Sequence, residues 1–119
     1  MTTIVTKRAY DPPSSKDGIR ILVDRLWPRG ISKEKLAATW LKEVSPSTAL
    51  RQWFGHRPEL WQAFTQRYRA ELDTNFPAVE PLLAAVRRGR VTLVYGSRND
   101  THNHAIVLRE YLLEHCGSH

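Results

Sequence analysis

The residues best suited to chemistry lie in two short segments of this 119-residue chain. Residues 24–30 (Asp-Arg-Leu-Trp-Pro-Arg-Gly) hold a carboxylate, two guanidinium groups and an indole. Residues 96–104 (Gly-Ser-Arg-Asn-Asp-Thr-His-Asn-His) place a hydroxyl, a guanidinium and two imidazoles after a glycine. Arginine offers a planar fork of donors that matches phosphate and carboxylate oxygens, and the free N–H groups at a helix start also favour an anion. The two segments together predict a pocket for an oxyanion.

Each residue of this pocket has a predicted role. The predicted ligand contacts are three guanidinium groups and one hydroxyl, from Arg25, Arg29, Arg98 and Ser97. If the site performs chemistry, Asp24 or His102 is the candidate acid–base group. Whether the protein is an enzyme is left open at this point, as is the identity of the ligand.

Plainer structural roles compete with these assignments. Asp24 could form an internal ion pair with Arg25 or Arg29 that only fixes the loop, an alternative of equal weight. Trp27 is better explained by core or lid packing than by stacking on a base. Arg98 is the hardest to explain structurally, because a loop guanidinium beside a helix start has no structural need to be cationic.

The two histidines of the second segment do not predict a metal site. Successive helical residues are rotated by about 100°, so His102 and His104 would point about 200° apart and could not share a metal ion. His104 falls on the apolar arc of the predicted last helix and is interpreted as a packing residue. His102 is the better candidate for a ligand contact. No metal or other cofactor is predicted, and neither the P-loop nor the G-x-G-x-x-G nucleotide fingerprint is present.

The surrounding sequence predicts the elements that position these segments. Strands are predicted at residues 2–6, 19–26 and 90–95, with a short one at 39–44. Helices are predicted at 32–36, at 46–54 with Ser45 as N-cap, from 58 to the break at 76–77, at 79–88, and at 101–115 with Asp100 or Thr101 as cap. Strands that are apolar on both faces and alternate with helices indicate an α/β fold with a small, mostly parallel sheet covered by helices. Ligands of such sheets bind outside the carboxyl ends of the strands, where both segments lie.

Composition sets the broad class. The length allows one domain over residues 1–119, with residues 116–119 set apart as an end that need not be native or ordered. No apolar run approaches the roughly 20 residues of a membrane span, so no membrane partner is expected. A lone cysteine, Cys116, favours a reducing, cytoplasmic setting. Oligomeric state is left open.

The positive charge is also compatible with a second class of partner. The formal net charge is +6, and residues 1–60 contain 11 basic and 6 acidic side chains. The alternative function is therefore a nucleic-acid-associated or regulatory protein that uses its basic surface. Acidic residues at 71, 73 and 80 interrupt the basic residues, so a small anionic ligand is favoured over nucleic acid.

The same strings of residues resemble a known family. They include Tyr10-Asp11-Pro12-Pro13, Val23-Asp24-Arg25-Leu26-Trp27-Pro28-Arg29-Gly30, Trp53-Phe54-Gly55-His56 and His102-Asn103-His104-Ala105. The chain resembles the domain of unknown function 488 family, YeaO-like group, from about Thr3 to Leu113. This resemblance implies a small bacterial or archaeal cytoplasmic α/β protein, and it carries no catalytic residues because the family has no established reaction. The third string adds His56, which either faces the pocket or caps the preceding helix.

Overall fold

Four short strands form one parallel sheet in the computed structural model, which describes residues 3–116. The strands are β1 (Ile4–Arg8), β2 (Ile19–Leu22), β3 (Thr39–Trp40) and β4 (Val91–Tyr95). Their order across the sheet is β1-β4-β2-β3, and β4 pairs in parallel with both β1 and β2. The predicted α/β class with a parallel sheet is therefore confirmed.

Five α-helices surround the sheet. They are α1 (Lys33–Leu36), α2 (Thr48–Phe54), α3 (Trp61–Thr74), α4 (Phe76–Arg88) and α5 (His104–Cys116). Short 3-10 turns at Ser15–Asp17, Lys42–Val44 and Pro58–Leu60 lead into the elements that follow them. Within residues 3–116, no helix is long and apolar enough to cross a bilayer. Residue 2 of the first predicted strand, and residues 117–119 of the end that was set apart, lie outside the described residues.

Strand bounds differ from the sequence prediction because pairing partners set them. The first strand begins and ends two residues later than predicted, where Ile4 to Arg8 pair with Val91 to Tyr95. The second strand ends at Leu22 rather than residue 26, and the third contains only two residues before the chain turns into a 3-10 helix. The early end of β2 leaves Asp24 and Arg25 in a loop at the edge of the sheet.

Alternating strand residues bury their side chains on opposite faces of the sheet. Ile21 and Leu93 pack into the large core formed with α2, α3, α4 and α5. Leu22 and Val94 point to the other face and pack with Leu36 of α1. This alternation is the expected geometry of a pleated strand. The sheet thus has a thick helical layer on one side and α1 with its flanking loops on the other.

A buried ionic cluster lies on the α1 face. Arg20, which is 7% exposed, donates to the Leu36 carbonyl through Nε at 3.0 Å and to Asp17 Oδ2 at 2.6 Å. The Lys7 ammonium lies 3.1 Å from the same carboxylate. Burial alone would raise the pKa of Asp17, but hydrogen bonds from the Ser14 N–H, Lys7 and Arg20 outweigh it and lower that pKa. The cluster is fully paired within the protein, so its role is structural.

Candidate functional site

A cavity of about 330 Å³ opens at the carboxyl ends of β2 and β4. Four of the residues predicted from sequence line it, namely Asp24, Arg25, Ser97 and His102. Asp24 and Arg25 follow β2, Ser97 follows β4, and His102 lies just before α5. The rule that parallel strands present their carboxyl ends at one edge therefore brings both segments to one cavity.

Two of the predicted ligand contacts lie elsewhere. Arg29 and Arg98 are exposed, and neither is among the residues that line the cavity. The main-chain carbonyl of Arg29 accepts a hydrogen bond from the Tyr10 hydroxyl at 3.1 Å, on the outside of the loop. Since β2 ends early, the loop after it is long enough to carry Arg29 away from the strand end.

The Asp24 carboxylate joins two strand ends. Its Oδ2 accepts a hydrogen bond from the Gly96 N–H at 2.8 Å, and its main-chain carbonyl accepts one from Trp40 Nε1 at 2.8 Å. A Cβ at position 96 would lie 3.0 Å from Oδ2, so glycine gives this contact its room. In the described part of the chain, neither Arg25 nor Arg29 forms the ion pair with Asp24 that was the structural alternative. Instead, the Asp24 carboxylate links the loop after β2 to the main chain just after β4.

His104 packs as predicted, with its ring against Tyr68, and it also forms part of the cavity wall. Its Nε2 lies 3.0 Å from the Val23 carbonyl oxygen and 3.2 Å from Asp24 Oδ1. Both neighbours are acceptors, so Nε2 must carry a proton. That N–H donates to the Val23 carbonyl, so Asp24 Oδ1 has no well-aligned donor among the described residues. The prediction that His102 and His104 point in opposite directions assumed that both are helical. It does not apply, because α5 begins at His104 and His102 precedes it. Both histidines line the same cavity.

Asparagine side chains, not Asp100 or Thr101, organise the loop before α5. Asn99 Oδ1 accepts from the N–H groups of Thr101 at 3.0 Å and His102 at 2.9 Å. Asn103 Oδ1 accepts from the Ile106 N–H at 3.2 Å, which is the capping bond of α5. The sequence placed the cap two or three residues too early. Across residues 3–116, no group of three or more His, Cys, Asp or Glu side chains is arranged to hold a metal ion.

The Arg25 guanidinium has no internal counter-ion. It forms no ion pair or hydrogen bond with any described residue, and its Nε is buried without a partner. A buried N–H without an acceptor is unfavourable by roughly 1–3 kcal/mol. Arg25 is therefore a cation at the cavity wall whose N–H groups have no acceptor among the described residues.

Helix α2 and the residues after it contribute a guanidinium and an imidazole to the cavity lining. Arg51 and His56 line the cavity, and His56 follows the left-handed Gly55 with a φ of 59° of its own. Sequence reasoning left the role of His56 open and missed Arg51. One sequence feature could have identified Arg51. It lies one turn before Gly55, which ends the helix, and therefore on the same side as the loop that follows.

Apolar side chains complete the cavity. Phe54 and Phe64 stack on each other with ring centroids 4.5 Å apart, and Trp61 packs against both rings. The His102 ring meets Trp61 edge-on at 4.8 Å. Trp27 is packed as predicted, with its Nε1 donating to the Ile31 carbonyl at 2.6 Å. The aromatic stack holds the histidine at the cavity rim.

Tyr68 is fully buried next to His104. Its hydroxyl donates to the Val44 carbonyl, and its ring meets His104 at 6.1 Å. Burial, followed by the charges of Glu71 and Asp24, raises the pKa of Tyr68 well above its ordinary value. Tyr68 therefore stays protonated and acts as a fixed donor.

Comparison with known proteins gives relatives of similar length. The chain is 44% identical over 110 residues to the uncharacterized protein YeaO of Escherichia coli (strain K12), covering 92% of this chain and 96% of that protein. It is 38% identical over 112 residues to the uncharacterized proteins Rv3073c of Mycobacterium tuberculosis and Mb3100c of Mycobacterium bovis, covering 93% of this chain and 94% of each. No solved structure matches.

A family model described as the inactive DUF488-N3 subclade matches residues 3–119. The match spans both strand-end segments, all four strands and all five helices. The chain therefore belongs to the domain of unknown function 488 family, in the YeaO-like group and the subclade described as inactive.

Proposed function

We propose that the cavity binds a small anionic molecule that bears a phosphate or carboxylate group. The observation that carries this proposal is Arg25, a guanidinium that lines the cavity and has no counter-ion among the described residues. An oxyanion in the cavity would accept hydrogen bonds from the terminal N–H groups of Arg25, which have no partner among the described residues, and would supply the missing counter-charge.

The balance of charge at the cavity supports an anion. Arg25 and Arg51 contribute two fixed positive charges, whereas Asp24 is the single carboxylate among the described lining residues. Three histidines in the lining can add N–H donors. Part of the Asp24 charge is already satisfied by the Gly96 N–H, so the net field in the cavity favours negative charge.

Binding without turnover is the form of this proposal that fits the site best. The Asp24 carboxylate accepts from the Gly96 N–H, and its main-chain carbonyl accepts from the Trp40 indole, which suits a positioning role better than proton transfer. The family description contains the word inactive, which supports the same choice. We also propose a bacterial, cytoplasmic setting, supported by the bacterial relatives and by the single cysteine, Cys116.

Calorimetric titration with inorganic phosphate tests the proposal. We expect Arg25→Gln to weaken phosphate binding by roughly 10-fold or more, because charge-assisted hydrogen bonds contribute about 1.5–3 kcal/mol. Arg88→Gln is the matched control: Arg88 ends α4 just before β4 starts, at the opposite edge of the sheet. Arg98→Gln should change the affinity less than about threefold, since an exposed charge outside the cavity acts only through screened interactions.

Two results would overturn the proposal. One is the absence of binding by phosphate, sulfate and acetate at millimolar concentration to a folded protein. The other is an equal loss of affinity in Arg25→Gln and Arg88→Gln, which would show a general charge effect rather than a site. Thermal unfolding of each variant verifies that the fold is intact.

A further inference from the structure

A second cavity, of about 390 Å³, adjoins the first one and shares Arg25 and Ser45 with it. It is lined by residues of the Lys42–Val44 turn and of α3. Because Arg25 lines both cavities, a ligand held by its guanidinium could extend into both.

The charge of the second cavity is opposite to that of the first. Glu43 and Glu71 line it, and Arg25 at its boundary is the single cation among its described lining residues. Glu71 is held in place, since its two carboxylate oxygens accept from the N–H of Ser47 at 2.9 Å and from the Ser47 hydroxyl at 2.6 Å. Each carboxylate oxygen keeps a further lone pair for another donor. The second cavity is therefore a preformed place for a positive charge.

We propose that the ligand is dipolar, with its phosphate or carboxylate on Arg25 in the first cavity and an ammonium group beside Glu71 and Glu43 in the second. This inference rests on the proposed function. A ligand with only negative charge would leave the two carboxylates unused and would be repelled by them. A short phosphorylated amine or an ω-amino acid matches both signs, because its two charged groups are separated by a few bonds.

The position of Tyr68 supports this geometry. Tyr68 lines the second cavity, and its ring also contacts His104 of the first. Since the two cavities also share Arg25 and Ser45, one small molecule could contact both charged regions.

Matched ligand pairs test the inference by calorimetry. The pairs are 2-aminoethyl phosphate with ethyl phosphate, and 3-aminopropyl phosphate with propyl phosphate. We expect the amine of at least one pair to bind about fivefold more tightly than its neutral partner, the scale of one partly solvated ion pair. If the amines gain nothing over the neutral phosphates while these still bind, the dipolar inference fails and the proposed function stands. If none of the four binds, both fail.

Substitutions of the two glutamates test which carboxylate gives the amines their higher affinity. Glu71→Gln should abolish the advantage of the amine and leave ethyl phosphate binding within about twofold. Since Glu71 also supports Ser47 at the start of α2, Glu43→Gln provides a second variant at an exposed residue, with a partial loss expected. Glu80→Gln, exposed on α4, is the matched control and should keep the full advantage. An advantage that survives both Glu71→Gln and Glu43→Gln would refute the placement of the ammonium group.

Discussion

Replacing Asp24 with Asn should lower stability and strengthen anion binding at the same time. In the native protein Asp24 Oδ2 accepts from the Gly96 N–H at 2.8 Å, and Oδ1 lies 3.2 Å from Nε2 of His104. Asparagine can place its amide oxygen on Gly96, but its NH₂ group must then face the protonated Nε2 of His104. The substitution therefore replaces a charge-assisted bond by a neutral one and opposes two donors.

The expected loss of stability follows from those two contacts. Weakening the bond to Gly96 costs about 1 kcal/mol, since hydrogen bonds to charged groups contribute about 1.5–3 kcal/mol and neutral ones about half of that. The opposed donors add up to about 1 kcal/mol, reduced because the Asp24 side chain is 21% exposed. Urea denaturation should show a midpoint lower by roughly 1 M for a total of about 1–2 kcal/mol.

The effect on binding has the opposite sign. Removing a negative charge from the cavity wall relieves its repulsion of a bound phosphate. Two like unit charges about 6 Å apart repel each other by about 0.7 kcal/mol even at the dielectric of water, so a separation of that order would raise the affinity about threefold or more. Asp100→Asn, an exposed acid on the neighbouring loop, is the control and should change neither quantity by as much. A folded Asp24→Asn variant that binds phosphate equally or more weakly would refute the assignment of Asp24 as a positioning carboxylate in an anion site.

Two further substitutions test the scaffold. Asp17→Asn should lose about 2–3 kcal/mol at pH 7, because it leaves the cationic partners of a buried carboxylate unpaired. Since the folded pKa of Asp17 is lowered, its stabilisation is complete above the ordinary value of 3.8 and is lost as the pH falls through the lowered pKa, so the wild type and this variant should converge in acid urea titrations. Gly18→Ala should lose more than about 2 kcal/mol, because the φ there is +68° and a Cβ would lie 2.4 Å from the Arg90 carbonyl oxygen. Gly30→Ala, with a φ of +82° and open space, should lose only the roughly 1–2 kcal/mol of backbone strain, and equal losses in the two glycine variants would contradict the steric argument.

Much of the architecture could be predicted because its signals are local. Apolar runs marked the strands, and Gly55 and Gly89 marked the carboxyl-terminal ends of α2 and α4. Phe76-Pro77, predicted as a break, instead lies in the first turn of α4. The general rule for parallel sheets then placed Asp24, Arg25, Ser97 and His102 at one edge. None of these steps needed knowledge of distant contacts.

What failed depends on contacts between residues far apart in sequence. Ser47 rather than Ser45 caps α2, and the Glu71 side chain, 24 residues away, binds the Ser47 hydroxyl. Asn103 caps α5 after the Asn99 side chain has used the N–H groups of Thr101 and His102. Local cap preferences favour any nearby Ser, Asn, Asp or Thr almost equally, so the tertiary partner decides.

The same dependence explains why arginine content was an ambiguous guide to the ligand. Thirteen arginines are present, and sequence spacing could not separate those that the fold neutralises from those that it leaves unpaired. Arg20 is buried against Asp17, and Arg69 pairs with Glu114, so both are satisfied within the protein. Arg25 is half-buried and unpaired at the junction of two cavities of opposite charge. A guanidinium kept partly desolvated without a counter-ion costs stability, and an external anion is the partner that would offset this cost.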